Sequence, residues 1–276
     1  MGGVGVHYLL RENALSQITP LQLSDFWWLS KHELENKLFV GVGHHPPLRE
    51  DDIPMPLEEW FHSLDEGMQL LRACKRYSLD FLKKWRSICN NTNVYRTLEL
   101  FASNTGQSQI LGPFWVDIDN ENCENGCEEN LDDALAVACT VVEFLSSHRK
   151  LSDHDMRVFF SGQKGFHIEV RPEALGIVGS AADQLKLSAL KLQEIINHFG
   201  TGSRTVSSRG THIDPVYGDR FDNYKLKHPY IRLHGSWNKW VGNDGIERAR
   251  RKIELSLDKL SDSTAEEICA QAEKPE

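Results

Sequence analysis

Residues Gly112–Asp119 read GPFWVDID, a run of aromatic and β-branched residues with the composition of a strand. Successive side chains of a strand point to opposite faces, so Asp117 and Asp119 share one face while Val116 and Ile118 share the other. The apolar pair calls for a core. The acidic pair calls for a cation, because adjacent carboxylates repel each other unless a positive charge bridges them. Mg²⁺ accepts one or two carboxylates together with substrate phosphates. A strand running out into an acidic, solvated loop has the same pattern, so the pair needs support from elsewhere in the chain.

Working outward, the texture is alternating from residue 92 onward and helical before it. VYRTLELF (94–101) predicts a strand. Asn130 can cap a helix with Asp132 and Asp133 in its first turn, burying Leu135, Ala138, Val142 and Leu145. MRVFF (156–160) and FHIEV (166–170) predict two strands joined by a tight turn, SGQKG (161–165). Ser180 caps a long helix that Gly200 ends. A Gly/Ser/Arg-rich loop (200–212) follows, then a strand in PYIRLH (229–234). Asp244 can cap a terminal helix to about Leu260, after which residues 261–276 are expected to fray. Upstream, 20–36 and 57–91 predict helices, with Trp27 and Trp28 packing them onto the rest. The four prolines of 44–56 make a loop there, and His44–His45 within it reads as a solvated pair before it reads as a metal site. The expected organisation is a mainly helical region 1–91, a mixed core 92–260 and a frayed tail 261–276: an α+β protein.

Composition sets bounds on function. The 276 residues are 40% hydrophobic and 26% charged, as in an ordinary globular protein. No apolar run of about 18 residues is present to span a membrane, and the start, MGGVGVHYLL, lacks the pattern of a signal peptide or of a myristoylation site. Seven Trp and twelve Phe supply a core. Six cysteines show no framework spacing and read as free thiols in a reducing compartment. Only Cys123 and Cys127 stand close, as C-x3-C. A zinc site there would need two more ligands, for which only His148 and His154 lie nearby, so two free thiols in a loop is the favoured reading.

Support for the acidic pair comes from two later stretches. In Ser161–His167, SGQKGFH, two glycines let the backbone approach a ligand and present its N–H groups, while Ser161, Lys164 and His167 add a hydroxyl, a cation and an imidazole suited to a triphosphate. His167 alternates with Phe166 and Ile168, which turns it away from the core those two enter; Glu169 shares its face and can orient it. An ordinary hairpin with incidental polar residues remains the plainer alternative. In THID (211–214), Asp214 follows an apolar residue as Asp117 does and is a candidate third carboxylate. Arg232 and Ser236 flank a turn at Gly235 and can hold phosphates.

The order of these pieces, an hhDhD strand, a helix, SGxxGxH, a second helix, then hD and RLxGS, resembles the archaeo-eukaryotic primase superfamily over about residues 92–240. That superfamily includes the small catalytic primase subunit and the primase-polymerases. The resemblance implies a catalytic core with a mixed sheet module packed on an RRM-like module. It implies Asp117, Asp119 and Asp214 as ligands for two divalent ions, Mg²⁺ or Mn²⁺, with Asp219 an alternative third ligand. It also implies Ser161, Lys164, His167, Arg232, Ser236 and Asn238 as nucleotide-binding residues, with a looser match of Arg96 to an early strand arginine. Asn238 stands where the family often has a histidine, Gln163 where it has a second basic turn residue. Cys123 and Cys127 occupy the place of a zinc knuckle that is reduced or lost, so zinc is not expected.

The expected function is therefore template-dependent nucleotidyl transfer, as a DNA primase or primase-polymerase making or extending short RNA or DNA strands. A metal-dependent nuclease and a non-catalytic nucleic-acid-binding replication module are the alternatives. The expected partners are single-stranded DNA and NTPs or dNTPs, with a primase large subunit, a helicase or another replication or repair protein as further candidates, and no membrane. The expected location is the cytoplasm at the nucleoid, or the nucleus in a eukaryote. A net charge of −9 argues at first against nucleic acid, but it is local. Residues 117–133 hold eight acids and no Lys or Arg, whereas 201–260 hold twelve Lys and Arg against seven acids, leaving a basic third free to meet a phosphate backbone.

Overall fold

The computed structural model describes residues 6–9, 27–28, 39–44, 94–101, 108–123, 128–200, 205–218, 226, 230–232, 234–242 and 245–274. Its strands, in chain order, are β1 Val6–Leu9, β2 Phe39–His44, β3 Val94–Phe101, β4 Ser108–Leu111, β5 Phe114–Asn120, β6 Met156–Phe160 and β7 Gly165–Val170. They continue with β8 Thr211–Asp214, β9 Tyr230–Arg232, β10 Trp237–Val241, β11 Glu247–Arg251 and β12 Ile253–Leu255. Three α-helices are described: α1 Glu128–Arg149, α2 Ala181–Phe199 and α3 Ala265–Glu273. The chain is a mixed α+β protein built on antiparallel sheets, and it divides into two units, residues 1–112 with 230–239 and residues 113–229 with 240–276.

In the first unit β1, β2, β3 and β4 pair in that order, all antiparallel. β9 joins β3 beside Tyr95–Thr97, leaving Glu99–Phe101 to β4. The region up to residue 91, expected to be mainly helical, thus contributes two strands and shares a sheet with β3. Neither was expected. VHYL and FVGVGH are short, and the second carries two glycines that dilute its alternation. Trp27 and Trp28 are buried, within a turn; the rest of the expected helices 20–36 and 57–91 lies outside the described residues, as does His45.

The second unit holds a five-stranded sheet in the order β12-β6-β7-β5-β8, every neighbour antiparallel. One face is apolar except at its end, where Asn120 and Thr211 are opposite each other: Val116, Ile118, Val158, Phe160, Phe166, Ile168 and Ile213 are all at 0% exposure. Helix α1 packs on β5, β7 and β8 and brings Leu131, Ala134, Leu135, Ala138, Val141 and Leu145 into the core, a helical stripe. Val141 takes the buried place expected of Val142. Removing one such aliphatic side chain from water stabilises the fold by roughly 1.5–3 kcal/mol.

Local chemistry sets the helix ends. Ser180 Oγ accepts the Asp183 N–H and the Asp183 carboxylate accepts the Ser180 N–H, the expected cap completed as a reciprocal box. Gly200 closes α2, its N–H donating to Ile196 O at 2.7 Å. At α1 the expected Asn130 cap is not made. The helix is already under way at Glu128, and Asn130 Nδ2 donates instead to Asn122 O at 2.9 Å.

The C-terminal reading needs two corrections. Instead of a helix from Asp244 to Leu260, the chain makes a turn, with Gly242 N–H donating to Ile246 O at 3.0 Å, and then β11 and β12. Ile253 and Leu255 are buried at a spacing of two and pair with Phe160 and Val158, the period of a strand. Asp244 lies outside the described residues. Nor does the tail fray from 261. Thr264 and Glu267 form a second capping box, Ala265 N–H donates to Asp132 Oδ1 at 2.8 Å, and α3 buries Ala265, Ile268, Cys269 and Ala272.

Candidate functional site

The second face of that sheet is polar. Residues directly opposite each other on antiparallel strands project to the same side. Asp117 is opposite His167 on β7 and Asp214 on β8, and Asp119 is opposite Gly165 and His212. Three carboxylates and two imidazoles therefore share one face, on the three strands where sequence alternation places them.

The contacts pair acid with base. Lys164 Nζ lies 2.9 Å from Asp119 Oδ2, His212 Nε2 lies 3.3 Å from Asp214 Oδ1, and His167 Nε2 lies 3.5 Å from Asp117 Oδ1. The last is too long for a hydrogen bond, and Asp117 Oδ1 is buried with no hydrogen-bond partner. Burial, followed by the charges of Asp119 and Asp214, raises the Asp117 carboxyl well above its ordinary range. The His212 imidazole is raised by its hydrogen bond to Asp214, against burial. The Lys164 ammonium, although burial opposes it, is raised by the charge and hydrogen bond of Asp119.

The SGQKG turn is built to sit against β5. Ser161 N–H donates to Gly165 O at 2.9 Å and Asn120 N–H donates to Lys164 O at 3.0 Å. Gly162 takes φ +93°, a conformation that favours glycine. Gly165 is required for a different reason: a Cβ there would stand 1.8 Å from Ile118 O and 2.4 Å from Asp119 Oδ1. Trp115 packs edge-on against the His167 ring, centroids 5.0 Å apart, and the Trp115 backbone N–H donates to Tyr217 Oη at 2.9 Å.

A further charged pair lies on the same face. Lys252 Nζ donates to Glu169 Oε1 at 2.9 Å, the two side chains 1% and 3% exposed. The ammonium also stands 4.4 Å from the centre of the Phe159 ring. Glu169, read as an orienter of His167, is thus held by Lys252. At the strand ends, Asp133 accepts the hydroxyls of Ser207 and Thr211, and Asn120 Nδ2 donates to Thr211 Oγ1 at 2.9 Å. These bonds tie the loop before β8 to the end of β5.

The structure thus brings Asp117 and Asp119 of β5, His167 of β7, Asp214 of β8 and Lys164 of the turn that begins at Ser161 together in the second unit. Arg232, Ser236 and Asn238 belong to the first unit. There Arg232 Nη1 donates to Trp237 O at 3.1 Å, Ser236 and Asn238 are buried, and Gly235 takes φ +78°. Arg96 pairs with Val42 and Ile231 in the β3 ladder. Asp219 and Cys127 lie outside the described residues. Cys123 is buried and forms no disulfide, and His148 stacks on Phe144, ring centroids 5.0 Å apart.

Sequence reading missed His212 and Lys252 as members of this face; Asp133 serves the opposite, helix-covered face, where Asn120 and Thr211 lie. The alternation of THID could have shown that His212 shares the face of Asp214. Nothing local marks Lys252, whose partner is 83 positions away.

As a metal centre the residues fit in their chemistry. Hard divalent cations take oxygen donors, and three carboxylates share the face, one with a buried oxygen lacking a hydrogen bond. No cage is ready-made, however: among the described residues no group of three or more His, Cys, Asp and Glu side chains is positioned to hold an ion, and the Lys164 ammonium lies against Asp119. Among the described residues no helix is long and apolar enough to cross a membrane. Compared with known proteins, the chain matches no family model, no curated protein and no solved structure.

Proposed function

We propose that the polar face of the second unit is the catalytic site of a template-dependent nucleotidyltransferase, a primase-polymerase of the archaeo-eukaryotic type. The observation that carries this reading is the register that sets Asp117 opposite both His167 and Asp214, with Asp119 on the same face. Asp117, Asp119 and Asp214 would hold Mg²⁺ or Mn²⁺, which when bound supplies positive charge where an in-line phosphoryl displacement accumulates negative charge.

The chain's own groups have separable parts in that scheme. The glycine-bearing turn at 161–165 offers backbone N–H groups and the Lys164 ammonium to a triphosphate. His167, held by Trp115 beside Asp117, offers an imidazole at the same place. Single-stranded DNA is the proposed template, NTPs or dNTPs the substrates, and a replication or repair protein the proposed partner, in the cytoplasm or a nucleus.

The deciding experiment is incorporation of labelled nucleotides on single-stranded DNA, with and without a primer, in Mg²⁺ and in Mn²⁺. Products should lengthen, and the Asp117→Ala/Asp119→Ala double variant should be inactive while its melting temperature stays close to that of the parent. Activity surviving in the double variant would remove the site assignment. Products that shorten instead would identify a nuclease, and divalent-independent nucleic-acid binding without turnover would identify a binding module.

A further inference from the structure

The carboxylate face already contains a cation of its own. Lys164 Nζ is 2.9 Å from Asp119 Oδ2, with the Asp119 side chain 12% exposed and that of Lys164 37% exposed. The backbone carrying this lysine is anchored at both ends of the turn, by Ser161 N–H to Gly165 O and by Asn120 N–H to Lys164 O. The space between turn and carboxylate admits no methyl group at Gly165. The turn is fixed, and the movable part is the four-carbon side chain, which solvent reaches from one side. An ammonium and a divalent ion compete for the same carboxylate oxygens, because the two positive charges repel each other at contact distance and the ammonium already occupies Asp119 Oδ2. Polyphosphate is the natural alternative partner for a lysine released in this way, since its oxygens accept the same hydrogen bonds.

Resting on the nucleotidyl-transfer reading, we propose that Lys164 closes the carboxylate site to a lone divalent cation. Nucleoside triphosphate draws the lysine away, so that cation and nucleotide load together. Asp119 then exchanges one positive partner for another, and the three carboxylates are never left without a counter-charge. The consequence for the reaction is order: metal enters with the nucleotide it serves, and the site binds metal weakly between turnovers.

The test compares Lys164→Met and Lys164→Arg with the parent in the full chain. It uses Mn²⁺ alone, followed by electron paramagnetic resonance, and nucleoside triphosphate binding by equilibrium dialysis. Lys164→Met should tighten binding of Mn²⁺ alone by about fivefold, the worth of a partly exposed ion pair, and weaken triphosphate binding. Lys164→Arg keeps the cation and should leave Mn²⁺ affinity where it was. Effects of opposite sign on the two ligands are not produced by a general loss of structure, which weakens both. Unchanged Mn²⁺ affinity in Lys164→Met, alongside loss of Mn²⁺ binding in Asp119→Asn, would overturn the competition and leave the metal site standing. Mn²⁺ binding that neither substitution alters would overturn both.

Discussion

Asp117 and Asp214 face each other across the β5–β8 pair, each beside a histidine, His167 at 3.5 Å from the first and His212 at 3.3 Å from the second. Burial and the neighbouring acids raise Asp117 above its ordinary range, so the folded chain holds this proton more tightly than the unfolded chain does. The contribution to stability is present below the unfolded value and lost as pH rises through the folded one. Ionising Asp117 is costly to the fold. Asp117→Asn should therefore raise the melting temperature in chelator by a few degrees, and Mn²⁺ should stabilise the parent more than the variant. A melting temperature below the parent's in chelator would refute this.

Gly165 is pinned by its neighbours. Alanine would put a Cβ 1.8 Å from Ile118 O, and backbone on backbone cannot relax without opening the β5–β7 pair. Gly165→Ala should lose about 2–4 kcal/mol in chemical denaturation, and activity with it. Gly176→Ala is the control: its φ of +70° is unfavourable but nothing lies within 4 Å, so the loss should be about 1 kcal/mol.

The buried Lys252–Glu169 pair predicts strong coupling. Lys252→Met or Glu169→Gln alone leaves a charge without its partner inside the sheet's polar face and should cost about 3–5 kcal/mol. The double variant should be much closer to the parent than the sum of the singles. Additive losses in urea unfolding would mean that the two side chains stabilise the fold separately.

The capping box of α2 has a signature in acid. The Ser180 hydroxyl, then its N–H, hold the Asp183 carboxyl below its ordinary value. A depressed carboxylate contributes stability above the unfolded value, and that contribution disappears as pH falls through the folded one. An NMR titration of Asp183 should move back up toward the ordinary range in Ser180→Ala, and the acid limb of the stability curve should flatten. A titration unchanged by the substitution would show that the box is not formed in solution.

What could be read in the chain was whatever is encoded locally. Alternation in GPFWVDID, MRVFF and FHIEV gave β5, β6 and β7 with their faces, two glycines gave the turn, and Ser180 and Gly200 bounded α2. The misreadings share a cause. In ERARRKIEL the charged residues conceal the alternation of Ile253 and Leu255, because Arg157 pairs with Glu254 and Lys252 with Glu169, partners 97 and 83 positions away. Asp133, read as a favourable charge in the first turn of α1, spends its acceptors on Ser207 and Thr211. Of the candidate site, the carboxylates, Lys164 and His167 were visible in the motifs. His212 was visible only in the alternation, and the Lys252 counter-charge not at all.

The strand order β12-β6-β7-β5-β8 also sets a schedule for a chain emerging from the ribosome. β5 and its acids appear first, the turn and His167 next, and Asp214 only after α2 has been made. Lys252 comes later still, from the segment leading into the edge strand β12. Between β5 and β12 the nascent chain carries an incomplete sheet with an acidic face and an unpaired edge, the condition in which a growing domain is most exposed to wrong pairing. The residues from Thr264 onward, which follow β12, dock α3 against the acidic start of α1 through Asp132, so a chain that stops short of them has a core without that clasp.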